Sequence, residues 1–470
     1  MLFSNKDLKK LIIPLILEQT LAITVGMADT IMVSSVGEAA ISGVSLVDMF
    51  NNLIISVLAA LATGGAVVTS QFLGAGHRDD ACRSAGQLIF TETSITIAIS
   101  ALVIIFNKPL LSLFFGKIEP DVMENAVTYI IISALSFPLL AVYDSSAALF
   151  RAMGNSAVTF KVSLLMNIIN VVGNALCIYV LGMGVEGVAI PSLISRGVAG
   201  IVMYVLLKNP NNLIHLTKEK FKIHFDVVKR ILFIGIPSGI ENGIFQLGRV
   251  VVVSIIAGFG TTQIAANGVA NSLDGMGCII GQAMNLAMIS VIGRCAGARD
   301  EKQIRYYTKK LLIITYLFTA IVNSTILICL NPILSVYSLS PETTRLAYIL
   351  VMIHNGGAML LWPTSFVLPN MLRACNDVKY TMIVAIFSMI TFRIGFSYII
   401  GIGMGMGAIG VWLAMILDWI FRVICFVTRY IRSKWKTKLA LWLKEKIKGF
   451  LMTKVLSVCR KTSKMKKICN

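Results

Sequence analysis

Twelve apolar stretches alternate with short polar segments along this chain, each near or above the roughly 20 residues that cross a bilayer core. They fall near 11–34, 44–70, 86–107, 127–149, 159–181, 186–207, 231–257, 264–291, 308–331, 346–370, 380–400 and 408–428. Glycine, proline and β-branched residues inside them argue little against helices, because backbone in hydrocarbon must satisfy its own hydrogen bonds. The pattern also repeats itself. Pro14–Glu18 returns 223 residues later as Pro237–Glu241, Asn107–Ser112 returns as Asn331–Ser335, and Leu149–Ala152 returns as Met371–Ala374. Fixed-offset similarity marks an internal duplication, and two equivalent membrane bundles suit alternating access to a site between or within them. The chain therefore reads as an all-α membrane protein. Residues 1–10 form an N-terminal segment, 11–207 a first lobe of six spans, 208–230 a linker, 231–428 a second lobe of six and 429–470 a tail.

Composition names the solvent. Of 470 residues, 56% are hydrophobic and 14% charged, with a mean hydropathy of +0.81, which is too little charge for a water-exposed surface. Charge sets the orientation. With Lys6, Lys9 and Lys10 inside and the spans alternating, the outer loops hold only Lys108, Lys117 and Arg345, while basic residues crowd the inner loops. This positive-inside bias puts both termini in the cytoplasm of a cell-membrane protein. The first apolar run is too long for a signal peptide and carries Glu18 and Asp29, so it is span 1. Nine cysteines lie without metal-ligand or redox spacing, and disulfides are not expected. Arg432–Asn470 holds 13 Lys or Arg against one acid, and Trp435, Leu439, Trp442, Leu443, Ile447 and Phe450 follow helical spacing. This tail reads as a helix lying on anionic lipid at the inner interface rather than a nucleic-acid binder.

An ionisable side chain at the bilayer centre costs about 2.5–3.5 kcal/mol on insertion scales, so each one needs a reason. Asp418 and Arg422 stand four apart on one helical face and neutralise each other. Asp48 and Asp274 read as near-surface anchors at the outer ends of spans 2 and 8. Glu18 and Glu241 follow Pro14 and Pro237 by one turn, and each proline leaves a helix carbonyl unpaired and marks a bend. Their duplication reads either as a structural device shared by the lobes or as a pair of cavity-facing carboxylates. Asp144, about two turns from Arg151, is a further acidic candidate at a gate or interface. Asp29 differs from all of these. It has no basic residue at i±3 or i±4, and the 223 offset lands on Val252. Asn174 and Ser192 share its layer, with Asn170 one turn lower. A carboxylate among amide and hydroxyl oxygens suits Na⁺, a carboxylate alone suits a proton, and a cluster that only packs helices is the third reading.

Several of these segments resemble one family. Val25-Gly-Met-Ala-Asp29-Thr-Ile-Met-Val33, the loop beginning Gly74-Ala-Gly76, Phe150-Arg-Ala-Met-Gly-Asn155, Asn167-Ile-Ile-Asn170, Gly184-Val-Glu-Gly187 and Asp418-Trp-Ile-Phe-Arg422 are similar in order and spacing to the multidrug and toxic compound extrusion (MATE) family. The resemblance covers about 10–430 and excludes the tail. It implies two six-helix lobes around a V-shaped cleft and export of amphipathic organic cations driven by inward Na⁺ or H⁺. It makes Asp29 the coupling carboxylate, with Asn170, Asn174 and Ser192 as the other polar positions of a first-lobe cation site. Pro14 becomes the point at which span 1 bends. Asn174 stands where archaeal-type members have aspartate, which leaves the choice of Na⁺ or H⁺ open. Another branch uses acids in spans 7 and 10, but span 10 here has none.

Other functions fit less well. A lipid-linked saccharide flippase shares the architecture class, and its anionic substrate calls for cavity cations, for which Arg196, Arg249 and Arg393 are candidates. Eight carboxylates against four arginines within the spans favour cationic cargo instead. A major-facilitator-type carrier needs a charged loop motif that Gly74–Arg83 does not match. Of four histidines, His77, His215 and His224 lie in polar loops and His354, alone in span 10, reads as packed or cavity-lining. The chain is accordingly expected to be a carrier without cofactor, working as a monomer, and not an enzyme or a channel.

Overall fold

The computed structural model describes residues 1–116, 119–216, 223–337 and 339–439. Among them are twelve helical segments long and apolar enough to cross a membrane. The first lobe contains α1 (Asn5–Ser34), α2 (Glu38–Gly74), α3 (Arg78–Ile105), a short α4 (Asn107–Phe115), α5 (Pro120–Ala152), α6 (Ser156–Ala175, closed by a π turn over Leu176–Val180) and α7 (Glu186–Leu207). The second contains α8 (Phe225–Ala257), α9 (Thr261–Gly277), α10 (Ile279–Gly297), α11 (Glu301–Ile328), a short α12 (Leu330–Val336), α13 (Pro341–Trp362), α14 (Leu368–Ala374), α15 (Val378–Ser388) and α16 (Gly407–Ile431).

Several helices overrun their apolar stretches. At 37 residues, α2 is roughly 55 Å long, whereas hydropathy registers only the part in hydrocarbon. Span 8 is two helices, α9 and α10, joined at Cys278. Span 10 continues to Ala374 through a π turn over Pro363–Val367, where Pro363 and Pro369 remove backbone donors and the ladder shifts to a wider register.

The duplication is written into the backbone. Left-handed residues recur at the same offset: Gly37 and Gly260, Gly76 and Arg299, Gly154 and Asn376, Gly182 and Gly405. The short helices α4 and α12 are the repeated Asn107 and Asn331 motifs. The first helix of each lobe also crosses between cores. Leu8, Leu11, Ile12 and Leu15 of α1 lie in the second-lobe core, while Met32 and Val33 lie in a first-lobe core. Conversely, Val227, Ile231 and Ile234 of α8 lie in a first-lobe core, and Val252, Ile255 and Ile256 lie in the second. Both Pro14 and Pro237 stand inside unbroken helices.

The lobes also press backbone against backbone where α2 crosses α10, beside the loops that follow both. A Cβ on Gly74 would stand 1.9 Å from the Arg294 carbonyl oxygen, and one on Gly297 would stand 2.0 Å from that of Gln71. Gln71 donates its amide to the Ala374 carbonyl at 2.8 Å, and Arg294 donates Nε to the Ala152 carbonyl at 2.9 Å. Gln71 and Arg294, Gly74 and Gly297, and Ala152 and Ala374 are all repeat-related, so one latch is made twice across a pseudo-two-fold axis.

The tail corrects an expectation. Trp435 and Leu439 are buried in the second-lobe core instead of lying on lipid, and Trp435 Nε1 donates to the Tyr430 carbonyl at 3.3 Å. Lys436 pairs with Glu301, and Arg305 donates to Ser433 Oγ at 2.5 Å. Trp442, Leu443, Ile447, Phe450 and most of the tail's basic charge lie outside the described residues.

Candidate functional site

Asp29 lies near the end of α1, and two neighbouring helices bring polar groups to it. A Cβ on Gly173 of α6 would sit 2.6 Å from Pro191 Cβ of α7, so these two helices approach without an intervening side chain. That approach sets Asn170 and Asn174 beside Ser192. Asn174 Nδ2 donates to Asp29 Oδ1 at 2.9 Å. With the Asn170 amide nitrogen facing the carboxylate, it donates to Oδ1 and Oδ2 at 3.0 and 3.2 Å, and its oxygen accepts from Ser192 Oγ at 2.8 Å. This amide orientation is the one that satisfies the network.

All four first-lobe residues singled out from the sequence therefore converge, including Asn170, whose side chain reaches Asp29 from one turn below Asn174. Asn174 and Asn170 are buried and Asp29 is half-buried. The Asn174 side-chain oxygen is buried with no hydrogen-bond partner. Together with the Asp29 carboxylate, Asn170 Oδ1 and Ser192 Oγ it offers a set of hard oxygen donors, which fits Na⁺ as well as a proton. No Lys or Arg pairs with Asp29 within 4.0 Å among the described residues. Asp48 and Arg196 are the charged groups whose fields reach it. Asp48 is held by the Tyr129 hydroxyl at 3.2 Å and Asn51 at 3.4 Å, and Arg196 donates to Ser136 Oγ at 2.6 Å.

The acidic candidates Glu18 and Glu241 resolve as one device made twice. Glu18 Oε1 lies 3.5 Å from Arg151 Nη1 and its other oxygen accepts from Thr159 at 2.9 Å. Glu241 Oε1 lies 2.6 Å from Arg373 Nη2. The Pro–Glu repeat and the Arg–Ala repeat thus face each other, pairing charge in each lobe. Asp144 lies in the field of Arg151 and Arg196, and near it Glu92 is buried and accepts from Ser145 at 2.5 Å.

The i,i+4 pair is present, with Arg422 Nε 2.9 Å from Asp418 Oδ1. Arg393 joins it at 3.8 Å, so a cation considered for an anionic substrate is neutralised inside the second lobe. Asp274 is also more than an anchor. His354 Nε2 lies 2.7 Å from Asp274 Oδ1, and Cys278 donates to the same oxygen at 3.2 Å. The Asp274–Cys278 spacing was visible in the sequence, but nothing local connects either residue to His354.

A duplicated bundle with twelve membrane-length helical segments among the described residues is an architecture that suits a membrane transporter. Comparison with known proteins gives the family. The MatE profile matches twice, over residues 14–176 and 237–399. The chain belongs to the MatE family of membrane transporters, whose members are carriers rather than enzymes. The uncharacterized transporter YisQ of Bacillus subtilis is 27% identical over 92% of this chain and 94% of its own length. A probable multidrug resistance protein, NorM, of Thermotoga maritima is 25% identical over 94% and 96%. A multidrug resistance MATE family transporter of the MOP superfamily, solved outward-facing, superposes with a TM-score of 0.84 at 21% identity over 92% of this chain and 96% of that one.

Proposed function

We propose that this protein is a secondary active exporter in the cell membrane, with both termini cytoplasmic, that moves amphipathic organic cations outward by antiport against Na⁺ or H⁺. The observation that carries this reading is the convergence of Asp29, Asn170, Asn174 and Ser192 on the loosest part of α1. Between Glu18 and Met32 no α1 residue is buried, although both ends of the helix are anchored in separate cores. Such a segment can shift or bend while its ends stay fixed, with Pro14 supplying the weak point in the ladder.

Binding of the coupling ion draws Asp29 towards α6 and α7, and α1 moves with it. An apolar groove of about 400 Å³ runs along the same stretch. Thr24 and Met27 of α1 line it, opposite Met276, Ile279, Ile321 and Thr325. Movement of α1 changes this surface, so ion and cargo exclude one another, and reciprocity requires that each weaken the other's binding. Adaptable apolar and methionine contacts suit varied amphipaths. The double latch of Gln71 and Arg294 closes the basic-loop end, which in the proposed orientation makes this the outward-facing state. The transporter works as a monomer in this scheme, and the basic tail contributes contact with anionic lipid.

The test is uptake or efflux of a fluorescent organic cation in proteoliposomes under a Na⁺ gradient, a pH gradient or neither, with Asp29→Asn in parallel. Movement under one gradient, abolished by Asp29→Asn, identifies the ion. Absence of movement under both, with folded protein, turns attention to lipid-linked saccharides as cargo.

A further inference from the structure

The three side chains gathered at the α9–α10 junction have a chemistry that the transport cycle above does not use. Asp274, Cys278 and His354 place their ligand atoms within 4.8 Å of one another. Asp274 and Cys278 stand four apart, on one face across the junction, and His354 reaches them from α13. His354 is 1% exposed and Cys278 is 7% exposed, while Asp274 is half-buried and leaves the cluster a path to solvent.

The hydrogen bonds of His354 are the informative feature. Its Nε2 faces Asp274 Oδ1 at 2.7 Å and its Nδ1 faces Asn355 Oδ1 at 3.0 Å. The Asp274 carboxylate oxygen only accepts, so Nε2 must present either a proton or a metal ion towards it. A metal ion at Nε2, with an Nδ1–H bond to Asn355 fixing the tautomer, is the arrangement that outer-shell partners of metal-bound histidines give. Trp412 and Trp419 pack edge-on against the ring at centroid distances of 5.6 and 5.0 Å. Trp412 is itself held by its Nε1 bond to Asn267 Oδ1 at 3.0 Å, so the ring is clamped in place.

We propose that Asp274, Cys278 and His354 form a binding site for a borderline-soft divalent cation of the Zn²⁺ or Cd²⁺ class, which ties α9 and α10 to α13 and slows transport. Thiolate, imidazole and carboxylate suit these ions and not Na⁺. Three protein ligands leave a fourth position for water, which makes the site reversible and not structural. Binding exchanges protons for the ion. The ligating forms are the imidazole with a bare Nε2, the carboxylate and the thiolate, so the thiol's proton and any proton beyond those of the neutral ring leave to solvent as one divalent ion enters. The loaded cluster (imidazole, carboxylate, thiolate, M²⁺) is neutral, which suits a low-dielectric site. Arg249 of α8 and Arg393 are the cations whose fields reach Asp274. They oppose a bare cation, so the ion must be held by direct ligation. Affinity rises with pH because the ligands bind the ion in their deprotonated forms.

The test is titration of the purified full-length protein in detergent with Cd²⁺, following the ultraviolet thiolate-to-metal charge-transfer band. Cys278→Ser keeps a donor towards Asp274, and His354→Gln keeps a polar side chain; size-exclusion profiles confirm that both variants fold. The expected result is a saturable band in the parent protein, lost in Cys278→Ser and shifted at least about tenfold to weaker binding in His354→Gln. Cys278→His, which keeps three ligands, retains competition by Zn²⁺ in the presence of a chromogenic chelator. A band of equal size in Cys278→Ser, or binding indifferent to His354→Gln, shows that other thiols hold the ion and overturns the proposal. This binding readout does not depend on the transported compound. In proteoliposomes, Zn²⁺ that slows the parent protein should spare Cys278→Ser.

Discussion

Helices α1 and α8 began as copies and now differ in one respect that bears on function. Each carries a proline followed by a buried glutamate, each pairs that glutamate with the repeat-related arginine, and each runs from one lobe's core into the other's. Past the glutamate they diverge. Beyond Glu241, α8 is packed: Gly243, Gly248 and Val252 are buried, and a Cβ on Gly248 would stand 2.2 Å from Met389 Cε. The middle of α1 is loose, and a Cβ on Gly26 would meet nothing within 4 Å. Where α1 carries Asp29, α8 carries Val252, which lies in the second-lobe core. A duplicated scaffold thus holds one fixed helix and one free helix, and the costly carboxylate sits on the free one. Pairing the acid with the looseness lets ion binding do mechanical work, because a carboxylate on a rigid helix would gain or lose an ion without moving anything.

This contrast can be broken at its strongest point first. Asp29→Asn should abolish gradient-driven transport in proteoliposomes while leaving thermal stability in detergent nearly unchanged, because the amide still bonds Asn174. The reciprocal change, Val252→Asp, buries an unpaired carboxylate in a packed core and should destabilise the protein without creating a second coupling site. A stable Val252→Asp variant with altered ion stoichiometry would show that the lobes are functionally equivalent after all.

Next come the shared glutamates. Glu241→Ala leaves Arg373 buried without its partner, a loss of about 3–5 kcal/mol for a buried pair, and should lower the detergent melting temperature markedly. Adding Arg373→Met should recover part of it. Glu18→Ala should cost less, because the Glu18–Arg151 contact is longer, at 3.5 Å against 2.6 Å. Equal losses would mean that the two pairs differ only in appearance.

The latch should respond more modestly. Gly74→Ala or Gly297→Ala forces the α2–α10 crossing apart at a cost of about 1–3 kcal/mol. Cysteines placed beside that crossing should become more reactive to a membrane-impermeant thiol reagent in both variants. Unchanged labelling would mean that the crossing is not the seal. The smallest effect concerns one backbone position: Arg299 takes the left-handed conformation that its repeat partner Gly76 takes freely. Arg299→Gly should stabilise the protein by about 1 kcal/mol, seen as a small rise in melting temperature, since the side chain no longer opposes that backbone. Gly76→Ala should do the reverse.

Much of this was legible before any coordinates. Twelve spans, the duplication and the sign of the loops follow from hydropathy, fixed offsets and lysine placement. The Asp418–Arg422 pair followed from helical spacing, because i and i+4 face each other wherever the helix lies. Asp29 stood out because it broke the repeat, and asymmetry in a duplicated chain is visible in one dimension. Depth counting set Asn170 a turn below the others but could not show that its side chain still reaches Asp29, which depends on how α6 leans against α7 through Gly173 and Pro191. The burial of Trp435 was missed because an amphipathic stripe looks the same against lipid as against protein.

The sequence by itself determined what each helix is and which positions are costly, because both are set by local composition and a fixed helical rise. Only the tertiary structure decided which costly groups meet. That Glu18 finds Arg151, that Gln71 and Arg294 latch the lobes twice, and that His354 reaches Asp274 and Cys278 all depend on crossing angles and rotations between helices. Those are set by shape at glycine contacts spread across hundreds of residues, and no window of sequence contains both sides of the contact.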